Sequence, residues 1–133
     1  MKRIISFRAW VEDEQQMQPV QEIDFNQNII GYFGINDQPI ENCVLMQFTG
    51  LRDKYGKEIY EGDILRVEGI DNEARVTEVV FDGGCFYCQH TPTEFKETVA
   101  FHLMFSDNRA IVVGNIYENP ELLTAGGQEK INS

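Results

Sequence analysis

Basic residues are scarce in this chain of 133 residues, which has 11 Lys and Arg against 22 Asp and Glu. The formal net charge is −11, so the phosphate backbone of a nucleic acid repels the chain at long range. We therefore expect no direct binding of nucleic acid. A solvated acidic surface is the simplest explanation of the charge. An acidic decoy, which binds a nucleic-acid-binding protein by mimicking its ligand, is an alternative.

Long apolar runs are also lacking. No run approaches the ~20 residues that span a membrane. The N-terminal segment MKRIISFRAW is basic, but its apolar stretch is short and Arg8 interrupts it, unlike the apolar core of a secretory signal. We expect a cytoplasmic protein without a membrane partner.

Cysteine is limited to three residues, an odd count that fits a reducing compartment better than a disulfide framework. Cys85 and Cys88 form a C-x-x-C motif and His90 follows, so a small zinc-binding module using these three residues is conceivable. However, residues three apart on a strand point to opposite faces. We therefore favour no metal site and predict no cofactor.

What the chain does contain is apolar residues, at 42%, with nine Phe and five Tyr. This content excludes general disorder, and the length fits one domain. We predict a single domain over residues 1–123. The segment 124–133 has little to bury and is predicted to be a mobile tail.

Period-two alternation predicts most of the elements. Residues 3–11 alternate and residues 17–25 return, which predicts an N-terminal hairpin. Residues 26–42 indicate a long loop pinned by aromatic residues, or a short strand between loops. Residues 75–81, RVTEVVF, are the clearest strand by composition. The segment 99–105 fits a strand or a short helix.

Glycines mark the tight turns. Gly56 closes a turn that starts at Asp53, and Gly62 lies in the next turn, because glycine adopts positive φ without a steric cost. Gly83 and Gly84 close a hairpin. Asn119 and Pro120 predict the start of a helix of one or two turns. The predicted fold is mainly β (β-rich α+β), a twisted antiparallel sheet or partly closed small barrel with one short C-terminal helical turn.

Catalytic groupings are not recognisable: no nucleophile lies in an elbow motif, and no glycine loop for phosphate opens a helix. Glu58, Glu61 and Asp63 surround a turn, where carboxylates could do acid–base work or bind a cation. More often such carboxylates are solvated or accept backbone hydrogen bonds. We predict no catalytic residues and expect no enzymatic activity.

Five residues are candidates for a binding surface. Arg8 and Trp10 share one face of the first strand, where they could stack as a cation–π pair, and Glu58, Glu61 and Asp63 form the acidic turn. Arg52, Lys54 and Lys57 form a basic cluster. On so acidic a chain, this cluster suggests a head-to-tail contact between subunits.

Three segments resemble the YopX family of phage and prophage proteins of low-GC Gram-positive bacteria. They are KRIISFRAW at 2–10, the stretch from LMQFTGL at 45–51 to YEGDI at 60–64, and VGNIYENPELL at 113–123. The resemblance implies a mostly β fold and a phage or prophage origin. It implies no established activity, substrate or catalytic residue.

The function we expect is therefore that of a non-enzymatic protein of phage or prophage origin and uncharacterised role. It would act through contacts with an unknown protein partner or through self-association as a homo-oligomer. The alternatives are the acidic decoy, directed at a nucleic-acid-binding protein of the host, and the zinc-binding module.

Overall fold

The computed structural model describes residues 2–34, 36–68, 73–90, 96–98, 110–124 and 128–130. The segment 99–105, predicted as strand or helix, lies outside the described residues. Within the described ranges no helix is sufficiently long and apolar to cross a membrane.

The elements are almost all strands, and one sheet is curled into a half-barrel. This confirms the predicted mainly β fold with a twisted antiparallel sheet or partly closed small barrel. The strands of the described residues are β1 (Phe7–Val11), β2 (Gln16–Pro19), β3 (Glu22–Asp24), β4 (Ile29–Tyr32), β5 (Asn36–Pro39), β6 (Cys43–Arg52), β7 (Glu58–Tyr60), β8 (Asp63–Glu68), β9 (Glu73–Asp82), β10 (Cys85–His90), β11 (Lys96–Thr98), β12 (Ala110–Asn115) and β13 (Gln128–Lys130). A 3₁₀ turn spans Ile40–Asn42, and the helical turn α1 spans Glu121–Thr124.

The chain forms two compact units, Met1–Phe48 and Thr49–Ser133. In the first unit, β1 pairs antiparallel with β2 and with the first half of β6. This confirms the predicted N-terminal hairpin, but its second strand ends at Pro19 and does not continue to residue 25. A separate antiparallel sheet has the order β3-β4-β5.

Of the two alternatives for residues 26–42, the long loop is wrong and the short strand is nearer to the structure, because this segment contains the two strands β4 and β5 and the 3₁₀ turn. Two turn residues of this segment have positive φ although they are not glycine: Asn28 and Phe33, with φ values of 57° and 54°. Asn tolerates this left-handed region, whereas a bulky residue such as Phe adopts it rarely. The turn that ends β4 therefore gave little local sequence signal.

In the second unit, β6 continues and has β7 as its neighbour, and a larger antiparallel sheet has the order β11-β10-β9-β8-β12. β9 also pairs with β13. The predicted turns are confirmed, since Gly56, Gly62, Gly83 and Gly84 all have positive φ. Alternate residues of the sheet build one core, which consists of Leu65, Val67, Val79, Cys88 and Ala110 together with Ile59 of β7.

The C-terminal helical turn is confirmed and is one turn long. The side chain of Asn119, expected to cap it, accepts the backbone N–H of Asn115 at 3.2 Å. The single domain over 1–123 and the mobile tail over 124–133 stay predictions. Of the tail, the structure describes Thr124 at the end of α1 and β13.

Candidate interaction surface

The turn between β6 and β7 carries a group of exposed residues, which we call the basic tip: Arg52, Lys54, Tyr55 and Lys57. Tyr55 is 74% exposed, and the Lys54 Nζ atom lies 5.8 Å from the centroid of its ring. Arg52 forms an ion pair with Glu58 at 3.5 Å, with both side chains partly in solvent. The tip therefore presents two lysines and an aromatic ring to the surroundings.

Asp53 holds the basic tip in place, and this residue is itself buried. Its Oδ1 atom accepts the backbone N–H groups of Tyr55 and Lys57 at 2.8 and 2.9 Å. Its Oδ2 atom accepts the N–H of Val112 in β12 at 2.9 Å. The Lys54 N–H adds a bond to the Ala110 carbonyl at 3.0 Å. Because the turn is tied to β12 in this way, its side chains are presented from a fixed backbone.

The first unit carries a surface of opposite charge, formed by Glu22, Asp24 and Asp37. We call it the acidic face. In the β3-β4-β5 sheet, Glu22 and Asp37 are both opposite Gly31, so their side chains leave the same face of the sheet. A Cβ atom at Gly31 would lie 3.1 Å from Asp37 Oδ1 and 3.7 Å from Glu22 Oε2. The two carboxylates therefore converge over a position without a side chain.

The stretch of chain that carries the acidic face has charged side chains of one sign. Residues 9–51 contain no Lys, Arg or His, whereas they contain Glu12, Asp13, Glu14, Glu22, Asp24, Asp37 and Glu41. Exposed aromatic rings lie at the two ends of the small sheet: Phe25, 75% exposed, follows β3, and Phe33, 62% exposed, follows β4. Exposed carboxylates and exposed apolar rings therefore both occur in this small sheet and its turns.

The opposite face of the same small sheet is buried. Ile30 and Tyr32 are fully buried, and the Tyr32 hydroxyl donates a hydrogen bond to the Glu14 carboxylate. Burial raises the pKa of Tyr32, and the bond to Glu14 raises it further. Burial likewise raises the pKa of the Cys43 thiol, with the charges of Glu12, Glu14 and Asp13 adding to it. Both groups are held in the protonated form, which is the weaker nucleophile.

The predicted surface residues lie in different environments. Arg8 is half-buried in β1, and Trp10 is buried at 8% exposure, so the indole ring offers little area to a partner. In the second unit, Glu58 accepts from Arg52 and from the Tyr60 hydroxyl. Asp63 is buried and accepts the Tyr60 N–H at 2.8 Å. Glu61 is half-buried.

The predicted zinc ligands differ in exposure. Cys85 is exposed, whereas Cys88 is buried in the core of the larger sheet. The side chain of His90 lies outside the part of the chain that the structure describes. Among the described residues, no three His, Cys, Asp or Glu side chains are grouped as metal ligands. Zinc binding stays a hypothesis, and elemental analysis of protein purified without chelator tests it.

Two structural anchors were not predicted as such from the sequence. Asp53 is one of them. The other is Asn115, whose Oδ1 atom accepts the N–H groups of Tyr117 and Glu118 at 3.0 and 2.8 Å. Gly114 is required beside it, because a Cβ atom there would lie 2.5 Å from Asn119 Oδ1. The sequence signal for both is an Asp or Asn followed closely by a turn. Both anchors satisfy backbone groups, and neither brings reactive groups together.

The chain is similar to proteins of known structure. A crystal structure of the protein EF1440 from Enterococcus faecalis shares 30% sequence identity and superposes with a TM-score of 0.69, covering 92% of this chain and 99% of that chain. The crystal structure of yopX from Bacillus subtilis shares 22% identity with a TM-score of 0.60, covering 89% and 95% of the two chains, and shows the same fold. No protein with curated annotation matches. The family model described as YopX protein matches residues 6–124. The chain therefore belongs to the YopX family.

Proposed function

We propose that this chain is a non-enzymatic protein of phage or prophage origin that acts in the cytoplasm of the bacterial host through protein–protein contacts, and that it self-associates. The observation that carries the proposal is the basic tip, where an aromatic ring 74% exposed is held by a buried carboxylate that accepts three backbone N–H groups. Aromatic side chains are enriched at protein interfaces. A pre-ordered loop loses less conformational entropy on binding.

The chemistry of the polar residues supports a role without catalysis. Asp53 and Asp63 are occupied by backbone hydrogen bonds. The pKa values of Tyr32 and Cys43 are raised, whereas a nucleophile is activated by a lowered pKa or an adjacent base. These side chains stabilise turns and a buried sheet, which leaves the exposed surfaces for recognition.

Light scattering of the intact chain after size-exclusion chromatography, over a range of concentrations, tests the proposal. We expect a mass above that of one chain that rises with concentration. A mass of one chain at every concentration would remove self-association from the proposal.

The acidic face favours a second candidate function, the acidic decoy. Carboxylates on a surface without basic residues can bind a basic groove that normally holds phosphates. Capture of host proteins on the immobilised chain, followed by elution with DNA, tests this function. We expect the retained proteins to be displaced by DNA if the decoy role holds. Retained proteins that DNA leaves in place would contradict it.

A further inference from the structure

We propose that the basic tip of one copy docks on the acidic face of a second copy. The inference rests on the proposed self-association and assigns the two surfaces that meet. It follows from the distribution of charge, since the tip is a cationic element on a chain of net charge −11, and the face lies within a segment without any basic residue.

The charges on both surfaces are available to a partner. Lys54 and Lys57 are exposed, and in the described ranges no carboxylate lies within ion-pair distance of either. The neighbouring carboxylate of Asp53 is turned inward to backbone N–H groups. Glu22 and Asp37 are exposed as well, and the described residues provide no basic side chain as an ion-pair partner for them. Opposite surfaces of this kind accelerate encounter and fix its orientation.

The shapes of the two surfaces are also compatible. The carboxylates of Glu22 and Asp37 converge over Gly31, since a Cβ atom at that position would lie 3.1 Å from Asp37 Oδ1 and 3.7 Å from Glu22 Oε2. A lysine ammonium is compact and donates three hydrogen bonds, so it can reach both carboxylates at once. The apolar part of the contact would come from Tyr55 on the tip and the exposed rings of Phe25 and Phe33. Such rings supply contact area at a low cost in conformational entropy.

The contact joins two different surfaces, so it allows two kinds of assembly. Two copies that exchange tip and face reciprocally form a closed two-fold dimer. A contact that is not reciprocal leaves one tip and one face unused, and it continues until it closes into a ring or extends into a filament. Sedimentation velocity distinguishes the two, because only the second passes beyond a dimer as the concentration rises.

Charge reversal tests the assignment by sedimentation velocity at about 0.05 M salt, where screening is weak. The tip variant carries Lys54→Glu with Lys57→Glu, and the face variant carries Glu22→Lys with Asp37→Lys. Matched controls make the same changes in net charge at other exposed positions: Lys2→Glu with Arg3→Glu, and Asp82→Lys with Glu121→Lys. Circular dichroism confirms that each variant folds.

We expect the association of each test variant alone to be weaker than that of the wild type by about tenfold or more, because two attractions become repulsions. Both controls should associate as the wild type does. An equimolar mixture of the tip and face variants should restore a complex, since the reversed charges are again complementary. If the wild type associates and both test variants associate equally well, this contact is overturned and self-association stays intact. Wild type that stays monomeric would overturn both. Monomeric wild type whose acidic face binds a tetralysine peptide would assign that face to a basic partner instead of a second copy.

Discussion

The carboxylate of Asp53 accepts the backbone N–H of Val112 at 2.9 Å, although the two residues are 59 positions apart in the chain. The same carboxylate accepts two N–H groups of its own turn. One buried side chain therefore orders the basic tip and fixes it to β12. The stability of the second unit and the presentation of the tip depend on the same residue.

Replacement of Asp53 with Ala is expected to lower the free energy of unfolding by about 3 kcal/mol, because it leaves three part-buried N–H groups without this acceptor. Urea denaturation followed by circular dichroism measures the loss. Asp24→Ala is the matched control, since Asp24 also accepts two turn N–H groups but in an exposed turn, and we expect a loss of about 1 kcal/mol. Equal losses for the two variants would contradict the anchoring role of Asp53.

Gly114 and Asn119 are expected to be coupled. Gly114→Ala places a Cβ atom 2.5 to 2.9 Å from the side chain of Asn119, which should destabilise the protein by about 2 kcal/mol through overpacking. In the background of Asn119→Gly the obstructing atoms are gone, so the same substitution should cost less than about 1 kcal/mol. A double-mutant cycle from denaturation curves measures this coupling. Additive effects of the two substitutions would show that the contact with Asn119 is not what destabilises Gly114→Ala.

Glu78 in β9 is half-buried, and burial raises the pKa of its carboxyl group. Its cross-strand neighbours are Ile64 and Gln89, which carry no charge, and Arg66 lies two residues from Ile64 on β8. A pKa raised on folding favours the protonated form. The contribution of Glu78 to the free energy of unfolding is thus complete below the ordinary pKa of a glutamate. It is lost as the pH rises through the pKa of Glu78 in the folded protein.

Glu78→Gln should therefore stabilise the protein at pH 7, and this advantage should shrink as the pH falls toward about 4. Denaturation curves between these pH values measure the difference. Glu41→Gln, at an exposed position, controls for the loss of one negative charge. A stability advantage of Glu78→Gln that grows on acidification would contradict a raised pKa for Glu78 in the folded protein.

Thr77 is fully buried, and its hydroxyl has no hydrogen-bond partner within the described ranges. Thr77→Val replaces the hydroxyl with a methyl group of similar shape, so we expect a gain of about 1 kcal/mol in unfolding free energy. Thr77→Ala is the comparison, because it removes the same hydroxyl but leaves a small cavity and should destabilise. A loss of stability in the valine variant would reveal a partner for the hydroxyl.

The parts of the fold that depend on local backbone requirements could be predicted from the sequence. Gly56, Gly62 and the Gly83-Gly84 pair all adopt positive φ. Glycine in a turn segment predicts such positions, because it adopts positive φ without a steric cost. For residues 26–42 the sequence predicts at most one short strand, whereas the segment forms both β4 and β5. The turn between them begins with Phe33 at φ 54°, where no sequence rule favours Phe. The alternation of the first strand makes Trp10 a surface candidate, but both faces of that strand are buried at Ala9, Trp10 and Val11.

The candidate site could be predicted only in part. The basic cluster of Arg52, Lys54 and Lys57 lies within positions 52–57, so the sequence alone reveals it. The acidic face is not revealed in this way, because Glu22 and Asp37 meet only through the register of three strands over Gly31. The bond between Asp53 and Val112 likewise depends on tertiary structure. Sequence patterns report neighbours along the chain, whereas this pairing depends on neighbours in space.

The most direct measurement of the proposed contact is zero-length carbodiimide crosslinking of an equal mixture of ¹⁴N- and ¹⁵N-labelled protein. The reagent joins amines to carboxylates that are in contact, and the isotopes show whether the two peptides come from different copies. If the basic tip docks on the acidic face, mixed-isotope crosslinks join Lys54 or Lys57 to Glu22 or Asp37. Crosslinks confined to single isotopic species, or mixed crosslinks that exclude these residues, would contradict this contact.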